Sequence, residues 1–165
     1  QILTEIGERY GSKIAGYAFD SWYQGYEEYP DFSFEELFRL CKIGDPNRIV
    51  SFNTWILPVN TPWQDFWFGE TYIPGHPAQE RIVQSGPGRG LQYHSLIVLE
   101  NLWVHGNPAP METPWLNADD LAKYIKACMQ NGGAVTINVG IYQEGYFGEE
   151  SLEVLRSVKK LVRGK

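Results

Sequence analysis

Two acids stand where apolar runs give out. Ile14-Ala15-Gly16-Tyr17-Ala18-Phe19 leads into Asp20, and Phe66-Trp67-Phe68-Gly69 leads into Glu70. A run that is apolar on both faces is the pattern of a strand covered on both sides, and in α/β sheets the reacting groups collect just past the carboxyl ends of strands. Two carboxylates at different strand ends suit substitution at an acetal carbon, where one attacks as nucleophile and the other protonates the departing oxygen. That division needs unequal surroundings, with one acid ionised and the other holding its proton near neutral pH. Each acid also has a plainer role. A strand-end Asp can cap the turn that follows, and Glu70 can be a surface residue of a loop. Glu100 and Glu80 are weaker candidates for the proton donor.

The elements that must position these acids follow from the periodicity. Ile2, Leu3 and Ile6 recur at helical spacing, and Gly11 is a natural stop after Tyr10. The chain thus begins in or near a helix with Gln1 and no Met, which reads as an N-terminally incomplete segment. Beyond an aromatic loop, Ser33 with Glu36 three residues later forms a capping-box pattern ahead of Phe34, Leu37, Phe38, Leu40 and Cys41. Gly44-Asp45-Pro46 ends that helix, and Arg48 to Asn53 reads as a second buried strand that finishes in polar residues. Residues Leu57 to Gly90 hold half of the chain's ten prolines, too many breakers for a long element. Within them Asp65 to Tyr72 forms a short strand that delivers Glu70. Ser95 to Leu99 is a fourth strand. Asn117 caps a helix carrying Leu121, Ile125 and Met129, and Asn131-Gly132-Gly133 stops it. Ala134 to Gly140 is the fifth strand, and a helix from Glu149 to Val162 closes the chain.

Strands alternating with helices predict a parallel sheet. An open doubly wound sheet and a closed barrel both satisfy that alternation. Asp20-Ser21-Trp22 is the wrong chemistry for cradling a pyrophosphate, so a dinucleotide fold is disfavoured. Polar strand ends followed by long aromatic loops favour an α/β chain of the (β/α)8 TIM-barrel type. Residues 1–165 then form one segment of about five C-terminal βα units, a partial barrel with exposed edges.

The composition narrows the partners. A net charge of -6 without long runs of one sign argues against nucleic acid, whose binders gather Lys and Arg on one face. No apolar run approaches the roughly 20 residues that span a bilayer, so no membrane is expected. Cys41 and Cys128 lie in separate predicted helices and read as buried thiols. His76, His94 and His105 lack metal-ligand spacing, and no metal is expected. Aromatic residues make up 15% of the chain, with six Trp and ten Tyr. Flat apolar rings with polar edges suit sugar rings, and Trp22, Trp55, Trp67, Tyr72 and Trp103 border strand ends where they can line a sugar subsite. Core packing is the competing use of each ring.

The segments also resemble, in order and over nearly the whole chain, the C-terminal half of the catalytic barrel of family-29 α-L-fucosidases. Ile14 to Trp22 is similar to the family's strand with a Trp-Phe-Asp-Gly motif, whose nucleophile maps onto Asp20. Asp65-Phe66, then Glu70, then Ile73-Pro74 resembles its Asp-Phe, Pro-Glu and Ile-Pro segment. Gly132, Gly133, Asn138, Gly140 and Gly145 match its Gly-Gly-Asn…Asn-Ile-Gly-Pro…Asp-Gly motif. The resemblance implies retaining hydrolysis of terminal α-L-fucosyl or related residues, with Asp20 forming the covalent intermediate and a Glu, here Glu70, as acid and then base. It implies a carbohydrate substrate, no cofactor, and a secreted, periplasmic or lysosomal location. It also implies an N-terminal half-barrel bringing further sugar-binding residues, among them a His pair.

Several positions depart from that pattern. Ala18 stands where the family has Trp, Ser21 where it has Gly, and Asn53-Thr54-Trp55 where an Arg is expected. Val104-His105-Gly106 replaces Trp-Gly-Tyr, and Ile141 replaces Pro. Losing an aromatic platform and a charged donor alters sugar recognition. The competing reading is therefore a carbohydrate-binding barrel or pseudoenzyme that kept the scaffold and lost efficient catalysis.

Overall fold

The computed structural model describes residues 1–22, 31–53, 61–70, 86–100, 103–106 and 110–164. Its elements are helix α1 (Ile2–Tyr10), strand β1 (Gly16–Phe19), helix α2 (Phe34–Cys41), strands β2 (Ile49–Phe52), β3 (Phe66–Gly69) and β4 (Gln92–Val98), helix α3 (Ala118–Gln130), strand β5 (Ala134–Asn138) and helix α4 (Glu149–Arg163). The order is the α/β alternation read from the sequence. Among the described residues no helix is long and apolar enough to cross a membrane. The described residues fall into two compact units, and one division between them lies between His94 and Ser95, inside β4.

In the first unit β1 and β2 run parallel, with Gly16 opposite Ile49 and Phe19 opposite Phe52. Asn53, one residue past β2, bridges Phe68 of β3 in the same sense. Three parallel segments therefore end side by side. Phe34, Cys41, Val50 and Phe52 are buried at the centre, with Leu3, Tyr17, Phe19, Trp22, Leu37 and Phe38 packed around them. Ser33 caps α2 as its spacing predicts, its hydroxyl accepting from the Glu36 N–H at 3.1 Å. Helix α1 comes so close to the α2–β2 turn that a Cβ on Gly44, at φ 83°, would sit 2.0 Å from the Gly7 carbonyl oxygen. Only glycine fits that approach.

The start of β2 carries an unusual buried group. Arg48 is 0% exposed and meets no carboxylate among the described residues. Its guanidinium donates to the carbonyls of Ile14 at 2.9 Å, Cys41 at 2.7 Å, Ile43 at 2.7 Å and Gly11. Two of these carbonyls lie at the end of α2, where unpaired oxygens and the helix dipole favour a cation. Beside it, Asp65 accepts from Lys42 Nζ and from the Val50 N–H, each at 2.7 Å, and so pins the entry of β3 to β2.

In the second unit α3 and α4 cover the end of β4 and β5 through Ile97, Leu99, Leu116, Leu121, Tyr124, Cys128 and Val158. Asn117 caps α3 by accepting from the Asp120 N–H at 2.9 Å. Its far end closes where Asn131-Gly132-Gly133 predicts: Gly132 takes φ 73°, and the Gly133 N–H reaches the Cys128 carbonyl at 2.8 Å. Strand β4 begins three residues before the Ser95 start read from the sequence. Tyr93, Ser95 and Ile97 alternate inward, and this two-residue period is masked in the sequence by the polar character of Gln92, Tyr93 and His94.

Candidate active site

The residues immediately after β1, β2 and β3 are Asp20, Asn53 and Glu70. Parallel strands in register deliver their following residues to one edge, and the side chains meet there. Asn53 Nδ2 donates to Asp20 Oδ1 at 2.8 Å and to Glu70 Oε1 at 2.6 Å. An amide nitrogen carries two hydrogens, one for each acceptor. Those two carboxylate oxygens are therefore no farther apart than two hydrogen bonds laid end to end.

The amide is held from both sides. Asn53 is 2% exposed; its N–H donates to the Phe19 carbonyl at 2.7 Å, and its carbonyl accepts from the Trp22 N–H at 3.2 Å. Asp20 Oδ1 also accepts from the Ser21 N–H at 2.8 Å. Among the described residues, Asp20 Oδ2 and Glu70 Oε2 have no hydrogen-bond partner. Asp20 is exposed and Glu70 half-buried, so the chemistry available is that of two acids facing solvent from a fixed base. Ser21 stands at φ 60°, a left-handed conformation that favours glycine. The Gly of the resembling motif falls on this position.

The other candidate residues are placed differently. Trp22 packs into the aromatic core, its ring 5.2 Å from Phe52, 5.5 Å from Phe34 and 4.9 Å from Phe32. Trp67 lies against Tyr93 at 4.8 Å. Trp103 belongs to the second unit, is 48% exposed, and accepts from Asn138 Nδ2 at its carbonyl. Trp55, Tyr72, His76 and Glu80 lie outside the described residues.

Glu100, the weaker acid candidate, is fully engaged within the second unit. It is buried, with one carboxylate oxygen accepting from the Gly140 N–H at 2.9 Å and the other from Ser151 Oγ at 2.6 Å. These bonds staple the end of β5 to the start of α4.

Among the described residues no group of three or more His, Cys, Asp and Glu could hold a metal ion. Burial pushes the Cys41 thiol up to about 11, against the opposing pull of Arg48 and Lys42. Burial raises Cys128 as well. Neither thiol is a nucleophile near neutral pH. In the sequence Asn53 reads as the polar end of the second strand and as a departure from an expected Arg, with no role in the site assigned to it. The signal that finds it is the one that finds Asp20, a polar residue at the end of an apolar strand.

No family model matches the chain, and no curated protein matches it. Solved structures do share its fold. The endo-fucoidan hydrolase MfFcnA9 of glycoside hydrolase family 107 superposes with a TM-score of 0.69 at 15% identity, covering 98% of this chain and 35% of that one. A variant of MfFcnA4, from the same family, gives 0.73 at 17% identity over 98% and 29%. The α-L-fucosidase AlfC from Lactobacillus casei, in complex with α-L-fucose, gives 0.62 at 15% identity over 99% and 43%. The chain spans less than half the length of each neighbour. Its α/β fold is thus shared with a stretch of several fucose-active glycoside hydrolases.

Proposed function

We propose that this chain is the C-terminal part of a (β/α)8 catalytic barrel, in a glycoside hydrolase that cleaves α-L-fucosyl linkages by double displacement. The observation that carries the reading is the single Asn53 amide bonded to both Asp20 and Glu70. It supports a short carboxyl separation. Retaining pairs need roughly 5–5.5 Å, whereas inverting pairs stand roughly 6.5–9.5 Å apart to admit a water.

The geometry translates into roles. Asp20 Oδ2 bonds to the anomeric carbon as the bond from that carbon to the leaving oxygen breaks, and that oxygen takes a proton from Glu70 Oε2. A water then attacks the same carbon and gives its proton to Glu70, and the bond to Asp20 breaks. The likeness to family-29 α-L-fucosidases supports Asp20 as nucleophile, and the fucose-active structural neighbours support the sugar. Ala18 and the Trp55 segment, standing where that family carries a Trp and an Arg, favour a second reading, a barrel that binds carbohydrate without efficient turnover.

The experiment is an assay of the full chain and its Asp20→Gly variant on 4-nitrophenyl α-L-fucopyranoside and on fucoidan. Release of 4-nitrophenol that falls by at least about 10³-fold in the variant supports the proposal. Shortening of fucoidan with the same dependence on Asp20 assigns internal linkages. Hydrolysis that survives Asp20→Gly removes the nucleophile assignment. Binding of either sugar with no turnover by the parent leaves the binding reading.

A further inference from the structure

We infer that Asn53 is a positioning residue, whose buried amide decides which oxygen of Asp20 and which oxygen of Glu70 face the sugar. The inference rests on the reading that these acids cleave a glycosidic bond. Three features carry it. The Asn53 backbone is clamped to both sides of Asp20, through Phe19 and Trp22, so its side chain cannot move independently of the nucleophile's loop. Its two side-chain hydrogens are divided between the two acids, so turning the amide toward one loses the other. Its burial removes water as a substitute donor.

The consequence is geometric. Asp20 Oδ1 is doubly engaged, by Ser21 and Asn53, which leaves Oδ2 as the attacking atom. Glu70 Oε1 is engaged by Asn53, which leaves Oε2 to carry the proton. No other described side chain bonds both acids, so this one residue sets their mutual distance. Alignment of this kind is worth a great deal, since a misplacement of about 1 Å can cost about 100-fold in rate.

A double-mutant cycle tests it. In Asp20→Gly, azide replaces the carboxylate: its nitrogen bonds to the anomeric carbon of 4-nitrophenyl α-L-fucopyranoside while the bond to 4-nitrophenolate breaks and takes the electron pair. Asn53→Ala is then compared in the parent and in azide-rescued Asp20→Gly. The expected result is a fall in kcat of about 100-fold in the parent with KM nearly unchanged, and a fall under about 3-fold in the rescued background, where no Asp20 remains to be aimed. An equal fall in both backgrounds overturns the inference, because a structural or sugar-contacting role does not depend on Asp20. Asn53→Asp, which keeps the side-chain volume but lacks the amide hydrogens, goes through the same cycle, so poor folding of Asn53→Ala leaves the question answerable. Undiminished hydrolysis by Asp20→Gly alone is a different failure, that of the nucleophile assignment itself.

Discussion

The two ends of the β1–β2 pair handle charge in opposite ways. At the start of β2 a buried cation, Arg48, is surrounded by four neutral carbonyls. At the far end two acids, one exposed and one half-buried, share one neutral amide. The first arrangement spends four N–H groups on fixed acceptors and leaves little reactive capacity. The second leaves Asp20 Oδ2 and Glu70 Oε2 without partners among the described residues. Parallel α/β sheets thus separate stability from chemistry by strand end, because loops at the carboxyl ends can vary while the opposite turns carry the packing.

The largest expected effect breaks the reactive end. Glu70→Gln keeps the Asn53 bond and removes the transferable proton, so turnover of a fucoside with a sugar leaving group falls roughly 10²–10⁴-fold. The unfolding midpoint in urea stays near that of the parent. A loss of stability in place of activity would erase the distinction between the two ends.

Arg48→Met attacks the other end. It strands four carbonyls, one buried and three partly buried, and costs at least about 3 kcal/mol, read by urea denaturation. Any variant that still folds at low temperature keeps its kcat. A cost below about 1 kcal/mol would show that water reaches these carbonyls.

A smaller effect is set by pH. Burial lowers His94 from its ordinary 6.5, with the rings of Phe66 and Phe68 at 5.5 and 4.9 Å. The unfolded chain therefore takes up this proton first as pH falls. Its contribution is fully present above 6.5 and is lost as pH drops through that value toward the lower folded one. His94→Phe should flatten stability against pH below the ordinary imidazole value of about 6.5. Equal slopes in parent and variant would refute this.

The smallest effect concerns backbone strain beside Asp20. Ser21→Gly relieves a left-handed φ of 60° and should add up to about 1 kcal/mol while leaving hydrolysis intact. A decrease in stability would mean that the Ser21 side chain contributes more than its backbone costs.

Much of the fold was legible because its signals are local. Helix α1 and the caps at Ser33 and Asn117 depend on residues within one or two turns, and the structure places them as read. The Gly-Gly stop of α3 is similarly local. The start of β4 carries no apolar run, because polar and aromatic residues alternate there, so only the burial of Tyr93 and Ser95 marks it as strand. Of the candidate site, Asp20 and Glu70 were legible as strand-end acids. The two bonds of Asn53 were not, since its partners lie 33 and 17 residues away.

By itself, then, the sequence determined where the helices start and stop and which polar residues terminate strands. These depend on backbone propensity and side-chain periodicity over a few residues. Only the tertiary structure decided that Trp22 packs into a core, that Glu100 is consumed by Gly140 and Ser151, and that Arg48 is held by the carbonyls of Gly11, Ile14, Cys41 and Ile43. A buried polar group takes its role from whichever groups replace its lost water. Those replacements come from chain segments far away in sequence, which no local pattern encodes.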